Sequence, residues 1–253
     1  MTEASRIWTA ALVVIGDEIL SGRTQDRNVA QLATWLNVQG IRLREVRVVP
    51  DMWEAIGAAV TAMAETYDYC FTTGGIGPTH DDITVDAIAA VFGRPVVVDE
   101  RARAILTDYY ADRGGLTEAR LRMARVPEGA SLIENAASGA PGIRIRNIFI
   151  LAGVPAIAAQ MLDSLAGTLE GGLPTQSRTI GCWVGESEVA ALLAATERTH
   201  PGCQIGSYPF FREGRTGANF VIRATDGALL EAVATELAGV LAERGLKPVA
   251  GGI

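Results

Sequence analysis

The chain has 253 residues, 49% of them hydrophobic, and its 22 basic and 29 acidic residues give a formal net charge of -7 at pH 7. This length suffices for one main domain with a large core and a smaller second domain. An acidic chain without a basic cluster is not expected to bind nucleic acid, and no run approaches the ~20 apolar residues of a membrane span, so no membrane partner is expected either.

The N-terminal segment Met1–Arg6 is too short and too polar to be a secretory leader, so a cytoplasmic location is expected. Strands and helices then alternate along the chain. The predicted elements are a strand at 10–15, a helix at 27–37, a strand at 42–49, a helix at 52–65 and a strand at 69–73. This βαβαβ order predicts an α/β fold with a mostly parallel sheet and helices on both faces.

The sequence after residue 73 predicts further helices and strands and one domain boundary. The predicted elements are a helix at 84–92, a strand at 95–98, helices near 99–112 and 117–124, a strand at 145–151 and a helix at 156–168. The segment 170–174, Glu-Gly-Gly-Leu-Pro, disfavours regular structure and separates a domain at 1–170 from one at 175–253. The second domain is expected to be a small α/β unit, with strands at 178–184, 204–210 and 219–224 and helices at 186–199 and 228–244.

A glycine-rich run, TTGGIGPTHDDIT at residues 72–84, joins the predicted strand at 69–73 to the next helix. Glycine lets a ligand approach the backbone closely, and the start of a helix attracts anions. The run has neither the lysine of a Walker loop nor the GxGxxG spacing of a dinucleotide fingerprint. It therefore predicts a different kind of phosphate site, with Thr84 placed to cap the first turn of the helix.

Two adjacent carboxylates, Asp81 and Asp82, follow the glycines. An ionised carboxylate repels a phosphate unless a cation lies between them. We interpret both as ligands, direct or through water, of a hard divalent cation such as Mg²⁺. The alternative is that both only cap the helix.

Other polar residues follow other predicted strands. In open α/β sheets, ligands bind where the loops leave the carboxyl ends of the strands. Asp17 and Glu18 follow the first strand and Asp51 the second, so we expect them to meet Asp81 and Asp82 in one cleft. A bound cation would relieve the repulsion among these carboxylates.

The run at 74–84 resembles the signature of the molybdopterin-binding (MoaB/Mog-like) family, and in detail that of its competence/damage-inducible protein A (CinA) branch. Other matches span residues 8 to 170 in the expected order. They are GDEILSG at 16–22, Asp26, Asn28, Pro-Asp at 50–51, SGAPG at 138–142 and Gly-Val-Pro at 153–155. Weaker matches at 184–187 and 207–209 resemble the small domain that follows in the CinA family.

The resemblance implies a phosphate-bearing small molecule, either a pterin or a nucleotide, and a Mg²⁺ ion near Asp82 and Asp51. Molybdopterin-binding relatives adenylylate the pterin phosphate or insert metal, whereas the CinA branch hydrolyses the pyrophosphate of ADP-ribose or related dinucleotides. We expect a divalent-metal-dependent nucleotide pyrophosphatase that acts on ADP-ribose or a dinucleotide such as FAD, with Asp82, Asp51 and Asp81 as catalytic and metal-binding residues. The family also implies a homo-oligomer.

The expected substrate-binding residues lie in the loops that carry these motifs. They are Gly16, Asp17, Glu18, Thr73, Gly74, Gly75, Gly77, Pro78, Thr79, Thr84, Ser138, Gly139, Gly153 and Pro155.

Two positions depart from the CinA pattern: Ile157 replaces an acid that commonly follows the Gly-Val-Pro turn, and Ala152 replaces a usual proline. Ile157 shares a helical face with Met161 and Leu165, which favours a core position. The lost acid favours a rival function, a non-catalytic molybdopterin or nucleotide binding module, whereas the retained acids oppose it. The sequence lacks the C-terminal amidase domain of full-length relatives, so amidase activity is not expected.

Overall fold

The computed structural model describes residues 6–135 and 137–253. Most of the N-terminal segment at 1–6, on which the leader argument depends, therefore lies outside the described residues. The chain divides into two compact units, of which the first ends at Gly172 and the second comprises Leu173–Ile253. In the described part of the chain, no helix has the length and apolar character that a membrane span requires.

The first unit contains a six-stranded sheet and a two-stranded sheet. The strands are β1 (Trp8–Ile15), β2 (Ile41–Val49), β3 (Tyr69–Thr73), β4 (Val96–Val98), β5 (Arg125–Pro127), β6 (Ser131–Ile133), β7 (Gly142–Ile145) and β8 (Ile148–Leu151). The large sheet has the order β2-β1-β3-β8-β7-β6, and β4 pairs with β5. The strands β2, β1, β3 and β8 are parallel, whereas β7 is antiparallel to both β8 and β6.

The helices of this unit follow the strands in the alternation that the sequence predicts. They are α1 (Asp17–Leu20), α2 (Asn28–Val38), α3 (Trp53–Thr66), α4 (Thr84–Val91), α5 (Glu100–Tyr110), α6 (Glu118–Leu121), a 3₁₀ turn (Arg122–Ala124) and α7 (Pro155–Leu165).

Two apolar cores cover the two faces of the large sheet. Along β1, Ala11, Val13 and Ile15 pack with residues of α3 and α4. The alternate residues Ala10, Leu12 and Val14 pack with α2 and α7. A strand buried on both faces is a continuous apolar run, as in parallel sheets covered by helices. The predicted fold class is therefore confirmed.

The second unit is a four-stranded antiparallel sheet with two helices. Its elements are β9 (Gln176–Cys182), α8 (Glu186–Thr199), β10 (Cys203–Arg212), β11 (Arg215–Ala224), α9 (Gly227–Glu243) and β12 (Val249–Ala250). The strand order is β10-β11-β9-β12. Alternate residues of β11, including Phe220 and Ile222, share one core with Val189 of α8 and Leu237 of α9.

The predicted strand at 145–151 in fact contains the end of β7 and the whole of β8. The chain reverses between Ile145 and Ile148, and Arg146 adopts a left-handed conformation with φ of 53°. The sequence pattern missed this turn because neither glycine nor proline marks it. The short elements α1, β5, β6 and β12 were also missed, since two to four residues are too few to show a period.

Candidate functional site

The glycine loop begins at a crowded corner formed by the carboxyl ends of β1, β3 and β8. Gly74 has φ of +103°, and a Cβ added there would lie 2.2 Å from the carbonyl oxygen of Ile15. Its amide donates to the Leu151 carbonyl over 3.2 Å. A Cβ at Gly153 would lie 3.3 Å from the Gly74 Cα. The structure thus brings the loops that carry Gly74 and Gly153 together, and at Gly74 there is no room for a side chain.

Thr84 secures this loop instead of capping the helix, so the capping prediction is wrong. Ile83 occupies the N-cap position of α4 and makes no side-chain cap. The Thr84 hydroxyl donates to the Gly74 carbonyl over 2.9 Å, and its amide donates to the Gly75 carbonyl over 3.0 Å. A Cβ at Gly75, whose φ is +67°, would lie 2.1 Å from the Thr84 Oγ1. Gly75 is therefore needed for the loop to form, apart from any ligand.

Asp82 is held within the loop by Thr79. One carboxylate oxygen, Oδ2, accepts hydrogen bonds from the Thr79 amide over 2.8 Å and from the Thr79 hydroxyl over 2.5 Å. A Cβ at Gly77 would lie 2.7 Å from the same oxygen. Because Ile83 is the N-cap of α4, the alternative that Asp81 and Asp82 cap this helix is wrong.

Four carboxylates form an acidic cluster, which we define as Asp17, Glu18, Asp51 and Asp81. The Asp51 Oδ2 accepts a hydrogen bond from the Asp17 amide over 2.9 Å. Burial raises the pKa of Asp51, the hydrogen bond from Asp17 opposes this rise, and the negative charges of Asp17, Glu18 and Asp81 add to it. The loops after β1, β2 and β3 therefore bring Asp17, Glu18 and Asp81 close enough to Asp51 to repel its negative charge.

The donor set of these loops suits a hard cation, although the protein alone does not assemble a complete metal site. Within residues 6–135 and 137–253, no three His, Cys, Asp or Glu side chains converge closely enough to hold a metal ion. Mg²⁺ commonly takes only one or two carboxylates and completes its shell with water and substrate phosphate oxygens. Asp51, Asp81 and Asp82 are the candidates on these loops for those one or two carboxylates.

A small pocket lies beside the glycine loop, and we call it the glycine-loop pocket. It is lined by Gly75, Ile76, Gly77, Asp82, Val85, Asp86, Arg122 and Arg125. Arg125 forms an ion pair with Asp86. The Arg122 Nη2 donates to the backbone carbonyl of Asp82 over 3.3 Å.

Neither arginine of this pocket was predicted from the sequence. The predicted helix at 117–124 instead ends at Leu121, and the 3₁₀ turn that follows carries Arg122 to the pocket. No local motif marks either arginine, since the partner of each lies about forty residues away in the chain, and only packing brings them together.

Two other predicted substrate-binding positions have different neighbours. Ser138 accepts a hydrogen bond from the Asn135 side chain over 2.6 Å, and a Cβ at Gly139 would lie 2.9 Å from the Tyr109 ring. Their loop connects β6 to β7, and the strands β7 and β8 separate β6 from β3. Because Ile143 at the start of β7 pairs with Ile150 near the carboxyl end of β8, this loop leaves the sheet at the same edge as the glycine loop, with β8 and β7 between them.

The remaining predicted positions occupy the loops between these features. Gly16 is buried and its amide donates to the Val49 carbonyl over 3.1 Å. Thr73 ends β3 and is buried, whereas Pro78 is exposed. Pro155 begins α7, and its carbonyl accepts a hydrogen bond from Gln31 over 3.3 Å.

Comparison with known proteins finds a family for each unit. Residues 11–171 match the family described as the probable molybdopterin binding domain. Residues 174–250 match the family described as the FAD synthase middle domain.

Relatives match across both units. A protein of Aeropyrum pernix is 31% identical over 265 residues, which cover 100% of this chain and 98% of that protein. A probable FAD synthase of Caenorhabditis elegans is 31% identical over 262 residues, covering 92% of this chain. The chain spans half of that relative, since the match covers 50% of its length.

A solved structure agrees with the fold of the first unit. The protein CinA from Thermoplasma acidophilum, described as of unknown function, is 34% identical and has a TM-score of 0.58. The match covers 63% of this chain and 96% of that one. The resemblance inferred from the glycine loop is confirmed: the chain belongs to the family of probable molybdopterin binding domains.

Proposed function

We propose that the chain is a divalent-metal-dependent nucleotide pyrophosphatase that acts on ADP-ribose or a related dinucleotide such as FAD. One observation carries the proposal: Asp82 and residues Gly75–Gly77 line one pocket, and the acidic cluster lies on loops at the same edge of the sheet. The match to the FAD synthase middle domain and the similarity to a probable FAD synthase support a nucleotide ligand.

The residues proposed to hold the cation are Asp51, Asp81 and Asp82, directly or through water. Mg²⁺ is the cation proposed. When bound, it neutralises the charge of the pyrophosphate and polarises its phosphorus–oxygen bonds.

The protein supplies orientation and proton transfer. The peptide groups of Gly75–Gly77 orient one phosphate, and donors aimed at developing charge stabilise it in the transition state. A carboxylate of the acidic cluster accepts a proton from the attacking water. A bond forms between the water oxygen and one phosphorus, while the bond from that phosphorus to the bridging oxygen breaks. ADP-ribose would yield AMP and ribose 5-phosphate.

The test is product analysis by mass spectrometry. The purified full chain is incubated with ADP-ribose, FAD or NAD, in the presence of Mg²⁺ or of EDTA. We expect products from at least one dinucleotide with Mg²⁺ and none with EDTA. Asp82→Asn should abolish turnover in a folded protein, whereas Asp163→Asn, at an exposed position of α7, should not. Product formation in EDTA would contradict the metal requirement. Full activity of Asp82→Asn would mean that Asp82 has no role in catalysis and only accepts the hydrogen bonds from Thr79.

A second candidate is the non-catalytic molybdopterin or nucleotide binding module. It is favoured because the described residues hold no preformed group of three metal-binding side chains, and because Ile157 supplies no carboxylate after the Gly-Val-Pro turn. Isothermal titration calorimetry with ADP-ribose separates the two functions. Binding without turnover of any dinucleotide would support the module and reject the hydrolase.

A further inference from the structure

We propose that Arg122 is the anion-binding side chain of the glycine-loop pocket and contacts a phosphate group of the ligand there. The inference deepens the proposed function, on which it relies for the nucleotide nature of the ligand. It assigns to this ligand a positively charged side chain that belongs to no sequence motif.

The position of Arg122 is the first support. Arg122 lines the pocket together with Gly75, Ile76 and Gly77, and its Nη2 donates to the Asp82 carbonyl over 3.3 Å. Its Nε is shielded from solvent and has no hydrogen-bond partner among the described residues. Since the large majority of buried polar groups are hydrogen-bonded, a shielded donor without a partner at a pocket wall points to a ligand acceptor.

The charge balance of the pocket is the second support. Its lining holds two acids and two bases. Arg125 is already committed to the carboxylate of Asp86. Over residues 6–135 and 137–253, Arg122 forms no ion pair, so its charge is available to an anion.

The chemistry of the group is the third support. A guanidinium presents a planar set of N–H donors that matches the oxygens of a phosphate, and it stays charged at any physiological pH. Gly75 and Gly77, which carry no side chain, line the same pocket as this guanidinium-bearing residue. The alternative is that Arg122 only braces the loop through the carbonyl of Asp82, without touching a ligand.

Calorimetric titration with inorganic pyrophosphate, in the absence of divalent cations, tests the proposal on the full chain. Arg122→Gln should weaken binding at least about tenfold, and Arg122→Lys should retain part of the affinity. The matched control is Arg103→Gln, which removes the same charge from an exposed pair with Glu100 on α5. Equal affinity of Arg122→Gln and wild type, or no pyrophosphate binding by wild type, would overturn the proposal.

The proposed function can fail separately. If no dinucleotide is hydrolysed but pyrophosphate binding depends on Arg122, the anion site stands and the hydrolase does not. If hydrolysis occurs and pyrophosphate binding is independent of Arg122, only the present inference is rejected.

A measurement on the wild-type protein covers the case in which Arg122→Gln does not fold. Crystals soaked in tungstate, a tetrahedral oxyanion, should show anomalous density within hydrogen-bond distance of the Arg122 guanidinium. Density at other sites only, or none at all, would contradict the assignment.

Discussion

The hydroxyl of Thr84 donates a hydrogen bond to the carbonyl of Gly74 over 2.9 Å, and both residues are buried. The bond joins the end of β3 to the first turn of α4 and closes the glycine loop between them. The glycine loop that lines the pocket is therefore held in place by the side chain of Thr84.

Replacing Thr84 with valine should destabilise the protein by about 1–3 kcal/mol, because valine fills the same space but cannot donate to the Gly74 carbonyl. Thr84→Ser keeps the donor and is the control. Urea denaturation followed by circular dichroism measures the free energy of unfolding. Wild-type stability in Thr84→Val would show that the bond contributes nothing.

Gly77→Ala should impair metal-dependent turnover more than stability. The added Cβ would meet the Asp82 Oδ2 at 2.7 Å and push the carboxylate away from Thr79. Gly75→Ala should instead impair stability more than turnover, because the added Cβ would collide with Thr84. The left-handed backbone at Gly75, with φ of +67°, by itself makes alanine less stable there by roughly 1–2 kcal/mol. Thermal unfolding and product formation, measured on both variants, check the contrast. Equal losses of stability would contradict it.

Asp51→Asn should raise the stability of the ligand-free protein at neutral pH. The folded-state pKa of Asp51 is raised, mainly by burial, so its contribution to stability is fully present below its unfolded pKa of ~3.9 and is lost as the pH rises through the folded pKa. Asparagine cannot ionise, and its side-chain oxygen can still accept from the Asp17 amide.

The Tm of Asp51→Asn should exceed that of wild type by about 1–3 °C near pH 7, and the difference should shrink as the pH falls toward 4. Differential scanning calorimetry across this range measures it. A lower Tm for the variant at neutral pH would mean that the charged hydrogen bond to Asp17 outweighs the cost of burial and the repulsion together. Metal affinity, measured by calorimetry, should fall in the same variant if Asp51 is a ligand.

Ile157→Glu should destabilise the protein by about 1–3 kcal/mol without raising turnover. Ile157 is half-buried and packs against the core on the α2 and α7 face of the sheet, so a glutamate there loses apolar contact and buries charge. Ala156→Glu is the control, since it adds the same carboxylate at an exposed neighbouring position. A stably folded Ile157→Glu protein with increased Mg²⁺-dependent hydrolysis would contradict the core assignment.

The alternation of the longer strands and helices, and the loops that carry the acids, were determined by the sequence alone. The strand Tyr69–Thr73 and the helix Glu186–Thr199 have the bounds that their apolar patterns predict. Glycines end the strand sharply, and the apolar spacing of the helix continues over its whole length. Such signals are local, so they predict the bounds of an element without knowledge of the fold.

Only the tertiary structure decided what the side chains contact. The role of Thr84 depends on Gly74, ten residues earlier, and the place of Arg122 depends on the carbonyl of Asp82, forty residues earlier. The turn at Arg146 divides an apolar run that shows no break in sequence. The periodicity of apolar residues indicates which face of an element is buried. These contacts, in contrast, form between elements that are far apart in the chain, so no regular spacing in the sequence predicts them.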